Sequence, residues 1–223
     1  MNVSVHQLVN AAYGSSWRLS IGPNCPKWIE SERFDVEAVA EDGVIPERLD
    51  TAQFRKLMQP MLQRLLTERF TLVIRREPKE MAVYELTVVK SGARLTEATI
   101  TEAECQTSIG CHQVLGDSMH GLRGVAANME DLALAIETGS GRPVVNATGI
   151  AGLFSIEMKP FANMRPELDD FLSSLPADRR PPPEPLRPSV FSVLEKDFGL
   201  LLRPARALIE TIQIESVDRP LAN

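Results

Sequence analysis

The sequence predicts an α+β fold of repeated α-β-β units, with helices packed on largely antiparallel sheet. Three observations carry that expectation. Capped amphipathic segments begin near residues 4, 51, 128 and 189. Each is followed by two stretches with strand character, and Gly, Pro or Asn turns punctuate them. The composition, 43% hydrophobic and 24% charged over 223 residues, supports a core. No run approaches the roughly 18 apolar residues of a membrane-spanning helix. Lys+Arg 24 against Asp+Glu 30, a net charge of -6, lacks the clustered basic face that phosphates demand and excludes a nucleic-acid partner.

The chain opens without the basic and apolar regions of an export signal, and Ser4 caps a helix whose Val5, Leu8, Val9, Ala12 and Tyr13 share one face. Residues 17–23 read as a short strand ended by Gly22-Pro23, and residues 34–40 as a half-buried strand. Thr51 caps a long helix with Phe54, Leu57, Met58, Met61, Leu62, Leu65, Leu66 and Phe70 on its buried face. Pro60 inside it removes a backbone donor and predicts a kink or restart. Residues 71–76 and 82–89 follow as two strands, paired as a hairpin through Pro78. Residues 96–124 have no sustained period and read as an irregular loop. Asn128 then caps a helix with Met129, Leu132, Ala133 and Ile136 inward, ended at Gly139-Ser140-Gly141. Residues 143–146 and 153–158 are strands about the hairpin turn Thr148-Gly149-Ile150-Ala151-Gly152, which lacks the lysine of a phosphate loop. Residues 160–188 hold eight of the 16 prolines and read as an extended linker. Ser189 caps the last helix, with Val190, Val193, Leu194 and Phe198 inward and Gly199 as its stop, and strands at 200–202 and 208–217 end the fold. The organisation expected is a half at 1–95, a loop at 96–127 and a second half at 128–223.

Reactive residues concentrate in the loop. Asp117, Ser118 and His120 form the best nucleophile candidate, because a serine needs a nearby base and a tight glycine turn, here Gly116. The string misses the G-x-S-x-G elbow, and an ordinary turn is the competing reading. Cys105 and Cys111 leave three alternatives open: a disulfide, a tetrahedral zinc site completed by His112 and His120, or two free thiols. Glu167, Asp169 and Asp170 are a second acidic candidate that reads better as a solvated helix start, and Arg75-Arg76, near Arg69 and Lys79, as solvated charge.

Leu8-Val9-Asn10-Ala11-Ala12-Tyr13-Gly14, Arg33-Phe34-Asp35-Val36, Met61 to Phe70, Val83-Tyr84-Glu85-Leu86, Arg142 to Gly152 and Val217-Asp218-Arg219-Pro220-Leu221-Ala222-Asn223 stand out as successive landmarks. Together they resemble the uncharacterised DUF3738-like family abundant in soil Acidobacteria. Members of that family usually carry an export signal and one further strand ahead of this point. The chain is also similar to a soil-metagenome class of hydrolase that opens N-acyl-homoserine lactones with calcium implicated. That similarity implies a quorum-quenching hydrolase of small lactones assisted by Ca2+; an ion of that kind takes several oxygens, and Glu102, Glu104 and Asp117 are the carboxylates near the loop, although no EF-hand spacing is present. The alternative function is a non-catalytic cell-envelope binding module that recognises partners by its sheet edges.

Overall fold

The structure is a computed structural model that describes residues 2–14, 18–39, 45, 51–106, 108, 110–162, 176 and 187–220. Its elements run β1 (Asn2–Val3), α1 (Val5–Tyr13), β2 (Leu19–Ile21), α2 (Trp28–Ser31), β3 (Phe34–Asp35), α3 (Thr51–Phe70) and β4 (Val73–Val88). There follow β5 (Thr96–Glu97), a 3-10 turn (Glu104–Gln106), β6 (Leu115–Asp117), β7 (Gly121–Ala127), α4 (Met129–Ser140), β8 (Val144–Asn146) and β9 (Phe154–Met158). The last elements are α5 (Val190–Val193), continued by a π turn over Leu194–Phe198, and β10 (Leu200–Ser216). This is the expected mixture of helices and mostly antiparallel sheet. The strand orders are β1-β3, β2-β10-β4-β8 and β5-β9-β7-β6. The pairs β2/β10 and β4/β8 are parallel. The chain divides into two units, residues 1–81 with 207–223 and residues 82–206, and β4 and β10 contribute to both.

In the first unit, α1 is fixed by a capping box in which Ser4 and Gln7 exchange side-chain and backbone hydrogen bonds. Its Val5, Leu8, Val9 and Ala12 are buried with Ile29, Leu66, Phe70, Ile214 and Val217. Phe34 meets Trp28 and Phe70 edge-on, at 6.0 and 5.3 Å between ring centres. Each large apolar side chain buried this way contributes about 1.5 to 3 kcal/mol. In the second unit, Met129, Leu132, Ala133 and Ile136 of α4 bury against a core that includes Leu86, Val144, Ile156, Leu194 and Leu200. Gly141 ends α4 in the left-handed region, at φ 72. The π turn ends at Gly199, and its carbonyls at Glu195 and Lys196 accept from the Arg94 guanidinium, a cation suited to a helix C-terminus.

Several expectations are corrected. Residues 71–76 and 82–89 are not a hairpin but one strand, and so are 200–202 and 208–217. The proline positions explain it. Val89 donates to the Gly199 carbonyl, and the Thr211 hydroxyl to that of Glu77, so odd-numbered residues face the partner across an antiparallel β4/β10 ladder. Pro78 and Pro204 are even-numbered, so the donors they lack point away from that ladder. The strands on those other sides, β8 and β2, pair only at Tyr84–Leu86 and Ile212–Ile214. Thus two of the four expected α-β-β copies have a single long strand after their helix. The segment 148–152 is not a hairpin turn either, because β8 and β9 lie in different sheets. The buried carboxylate of Glu137 takes the Val144 amide, and the Pro143 carbonyl takes that of Tyr84, which commits β8 to β4.

The loop expected at 96–127 contains β5, β6 and β7, the last a central strand. Its signal is masked because close packing demands glycine: a Cβ on Gly121 would collide with the Met158 carbonyl, and one on Gly124 would lie 2.6 Å from that of Gln113. The strand expected at 34–40 is confined to Phe34–Asp35, the length of β1 opposite it. The long helix runs through Pro60 without a restart; Pro60 and Lys56 are exposed, so water can satisfy the carbonyl that loses its donor. Phe54 on the expected inner face is exposed, and burial is complete only at Leu66 and Phe70. Arg75 pairs with Glu215 at 3.1 Å and Arg76 with Glu210 at 2.9 Å, so this basic pair is matched by acids on β10. Most of the proline-rich stretch 160–188, with Glu167, Asp169 and Asp170, lies outside the described residues, and Thr51, expected as a cap, is the first residue of α3.

Candidate functional site

The residues richest in chemistry converge on His112, in the second unit. A disulfide joins Cys105 to Cys111, with 5.6 Å between their Cα atoms, and this decides among the three states open to these cysteines. Both sulfurs are thereby withdrawn from metal binding, and His120 stands apart with Asp117, so the zinc set of Cys105, Cys111, His112 and His120 is not assembled. The next residue, His112, is held at a positive φ of 52 by its amide bond to the Ala126 carbonyl, 2.8 Å away. That costs strain in a non-glycine residue and fixes where the ring points.

Asp131 secures the inner edge of the ring, its Oδ2 lying 3.0 Å from Nδ1. The same oxygen accepts the Asn128 amide at 2.9 Å, while Asn128 Oδ1 accepts the Asp131 amide, so the capping box of α4 also holds the imidazole. On the outer edge, Nε2 lies 2.9 Å from Glu102 Oε1. Burial works against a charged ring, but hydrogen bonds and charge from Asp131 and then Glu102 prevail and hold His112 above its ordinary pKa. Glu102 itself is 70% exposed at the side chain.

Two adjoining depressions share Glu102, Ala151 and Gly152. One, of about 450 Å³, is also lined by Asn128, Met129, Glu130, Asn146 and Ile150. The other, of about 250 Å³, is lined by Glu97, Ala98, Ile100, Thr101, Leu153 and Phe154. Asn146 Oδ1 accepts from the amide and hydroxyl of Thr148, a short-range turn that sets the course of the 148–152 segment along both. None of Asn128, Asp131, Asn146 and the 150–152 segment is a site residue in the sequence reading, which gives Asn128 only as a helix cap and residues 148–152 only as a turn, and leaves Asp131 and Asn146 without a role. Only the Asn128-x-x-Asp131 spacing, a capping-box variant, signalled any of them.

The expected nucleophile group is placed elsewhere. Asp117 ends β6, Ser118 and His120 lie in the turn to β7, and neither depression reaches them. The Asp117 carboxylate accepts the amides of Met119 and His120 and contacts His120 Nδ1 at 2.9 to 3.0 Å. These bonds, the side-chain one to His120 foremost, hold Asp117 below its ordinary pKa. No hydrogen bond joins the Ser118 hydroxyl to His120 among the described residues. The three expected calcium ligands also hold separate partners: Glu102 has His112, Glu104 accepts from the Thr101 amide and hydroxyl at 2.8 and 2.7 Å, and Asp117 has its turn.

Among the described residues no helix is long and apolar enough to cross a membrane. No curated protein and no solved structure matched this chain. A family model described as Protein of unknown function (DUF3738) matches residues 6–217, nearly the whole length, and the chain belongs to that family.

Proposed function

We propose that the chain is a hydrolase of small lactones or esters, with N-acyl-homoserine lactones as the class to test, and that Glu102 is its general base. One observation carries this reading: the exposed Glu102 carboxylate borders both depressions while the ring of His112 holds it from behind. Lactone opening needs a base beside the attacking water and a donor for the oxygen that becomes negative. Glu102 takes the proton as water adds to the ring carbonyl. The donor assigned to the developing oxyanion is the side-chain amide of Asn146, which lines the larger depression together with Glu102. The ring C–O bond then breaks, and the released alkoxide recovers the proton to give the hydroxy acid. His112 and Asp131 are positioning residues. The chemistry assigned to Glu102 needs no calcium.

The test is the rate of opening of an acyl-homoserine lactone at matched pH. Wild type should exceed buffer; Glu102→Gln should fall at least about 100-fold, the usual scale of general-base assistance. His112→Gln should lose less, and Ser118→Ala nothing. A rate that falls in chelator and returns with Ca2+ would move the work to a bound ion. If wild type matches buffer, the reading fails, and the alternative of a binding module gains: β6 is a sheet edge with all three residues exposed, suited to an added strand.

A further inference from the structure

We propose that reduction of the Cys105–Cys111 disulfide converts this corner of the second unit into a tetrahedral site for a thiophilic divalent cation such as Zn2+. The ligands are the two released sulfurs, His112 Nε2 and a Glu102 carboxylate oxygen. The inference is independent of the hydrolase reading.

The geometry is nearly in place. Ligand atoms of Glu102, Cys105 and His112 already lie within 4.8 Å of one another. A zinc ion with bonds of about 2.0 to 2.3 Å needs its ligands about 3.3 to 3.8 Å apart, so side-chain rotation closes the gap. Cys111 is bonded to Cys105 now and stays beside it once the bond opens, because its neighbour His112 is anchored to Ala126. Cys105 is anchored too, by its amide bond to the Thr101 carbonyl at 3.0 Å. The second shell exists as well. Asp131 Oδ2 accepts from Nδ1 of His112, which selects the tautomer whose Nε2 lone pair faces the ion, the carboxylate–histidine arrangement typical of zinc sites. The disulfide is what keeps the site closed, since a disulfide sulfur is a poor ligand and a thiolate a strong one.

The redox step balances with a dithiol as reductant. The dithiol delivers two electrons and two protons, the S–S bond breaks to two thiols, and the dithiol closes to its own disulfide. The cation then displaces one proton from each thiol, and the Nε2 proton of His112 where the ring is charged, to solvent.

The test uses the full chain carrying Cys25→Ser, so that only this cysteine pair remains. The protein is reduced with dithiothreitol, freed of it under argon and titrated with Co2+. The expected result is thiolate-to-cobalt absorption and tetrahedral d–d bands that saturate at one equivalent and are bleached by Zn2+. The oxidised protein should give neither. Glu102→Gln and His112→Gln should each raise the Co2+ midpoint at least about tenfold, and Asp131→Asn about 10- to 100-fold. Circular dichroism follows the fold throughout. Absence of the bands from the reduced protein overturns the proposal, whether or not the reduced chain stays folded. Bands with the same midpoint in His112→Gln and Glu102→Gln overturn it equally, because the thiols would then be binding alone.

Discussion

Cys25 is the free cysteine; its Sγ donates to the Ile214 carbonyl at 2.9 Å inside the first unit. Burial pushes its thiol pKa up, opposed in part by a backbone hydrogen bond at Gly22. A raised pKa means that folding favours the protonated form. The associated stability is therefore complete below the pKa of the unfolded thiol and is lost as pH rises through that of the folded one. Accordingly, iodoacetamide at a pH of about 8.5 should modify the native protein more slowly than the urea-unfolded chain, since only thiolate reacts. Equal rates would contradict the burial argument. At this scale the sequence marks Glu102 and His112, through their carboxylate and imidazole, but assigns them to different sites. What joins them is a disulfide that was one alternative of three and a contact from residue 112 to residue 131 that only the folded chain makes.

Helices are the elements most legible in the sequence, because cap and apolar period lie within one short window. Ser4, Asn128 and Ser189 all cap the helices expected of them. Strands are less legible wherever Pro or Gly occupies a position that tertiary pairing makes tolerable. Pro78 reads as a turn until β10 is known to lie on the side its missing donor does not face. That parity is testable. Lys79 is odd-numbered, so its amide faces β10, and Lys79→Pro should cost at least about 1 kcal/mol for the lost bond, beyond any strain. Denaturant midpoints of wild type and Lys79→Pro measure it, and unchanged stability would refute the register. Gly121 is a similar case. Its φ of 88 and its approach to the Met158 carbonyl are legible only once β7 and β9 are paired.

Across the whole molecule, the sequence foretells the fold class but not how the chain is shared out. The first unit takes residues from both ends of the chain, and no local pattern announces that Ile214 and Val217 complete the core that α1 begins. In the register that pairs Glu77 with Thr211, Met81 stands opposite Ala207, the two residues at which the first unit is interrupted. Replacing residues 82–206 by an Asn-Gly turn should thus join β4 to β10 as a hairpin and leave the first unit's core intact. Cooperative thermal unfolding of that shortened chain is the expected result, and a chain without a transition would show that the first unit cannot stand alone. The adjacency of Met81 and Ala207 has a consequence for engineering as well. Any segment exchanged between those two positions starts and finishes at one rung of the β4/β10 ladder, so grafting there disturbs the pairing at a single point.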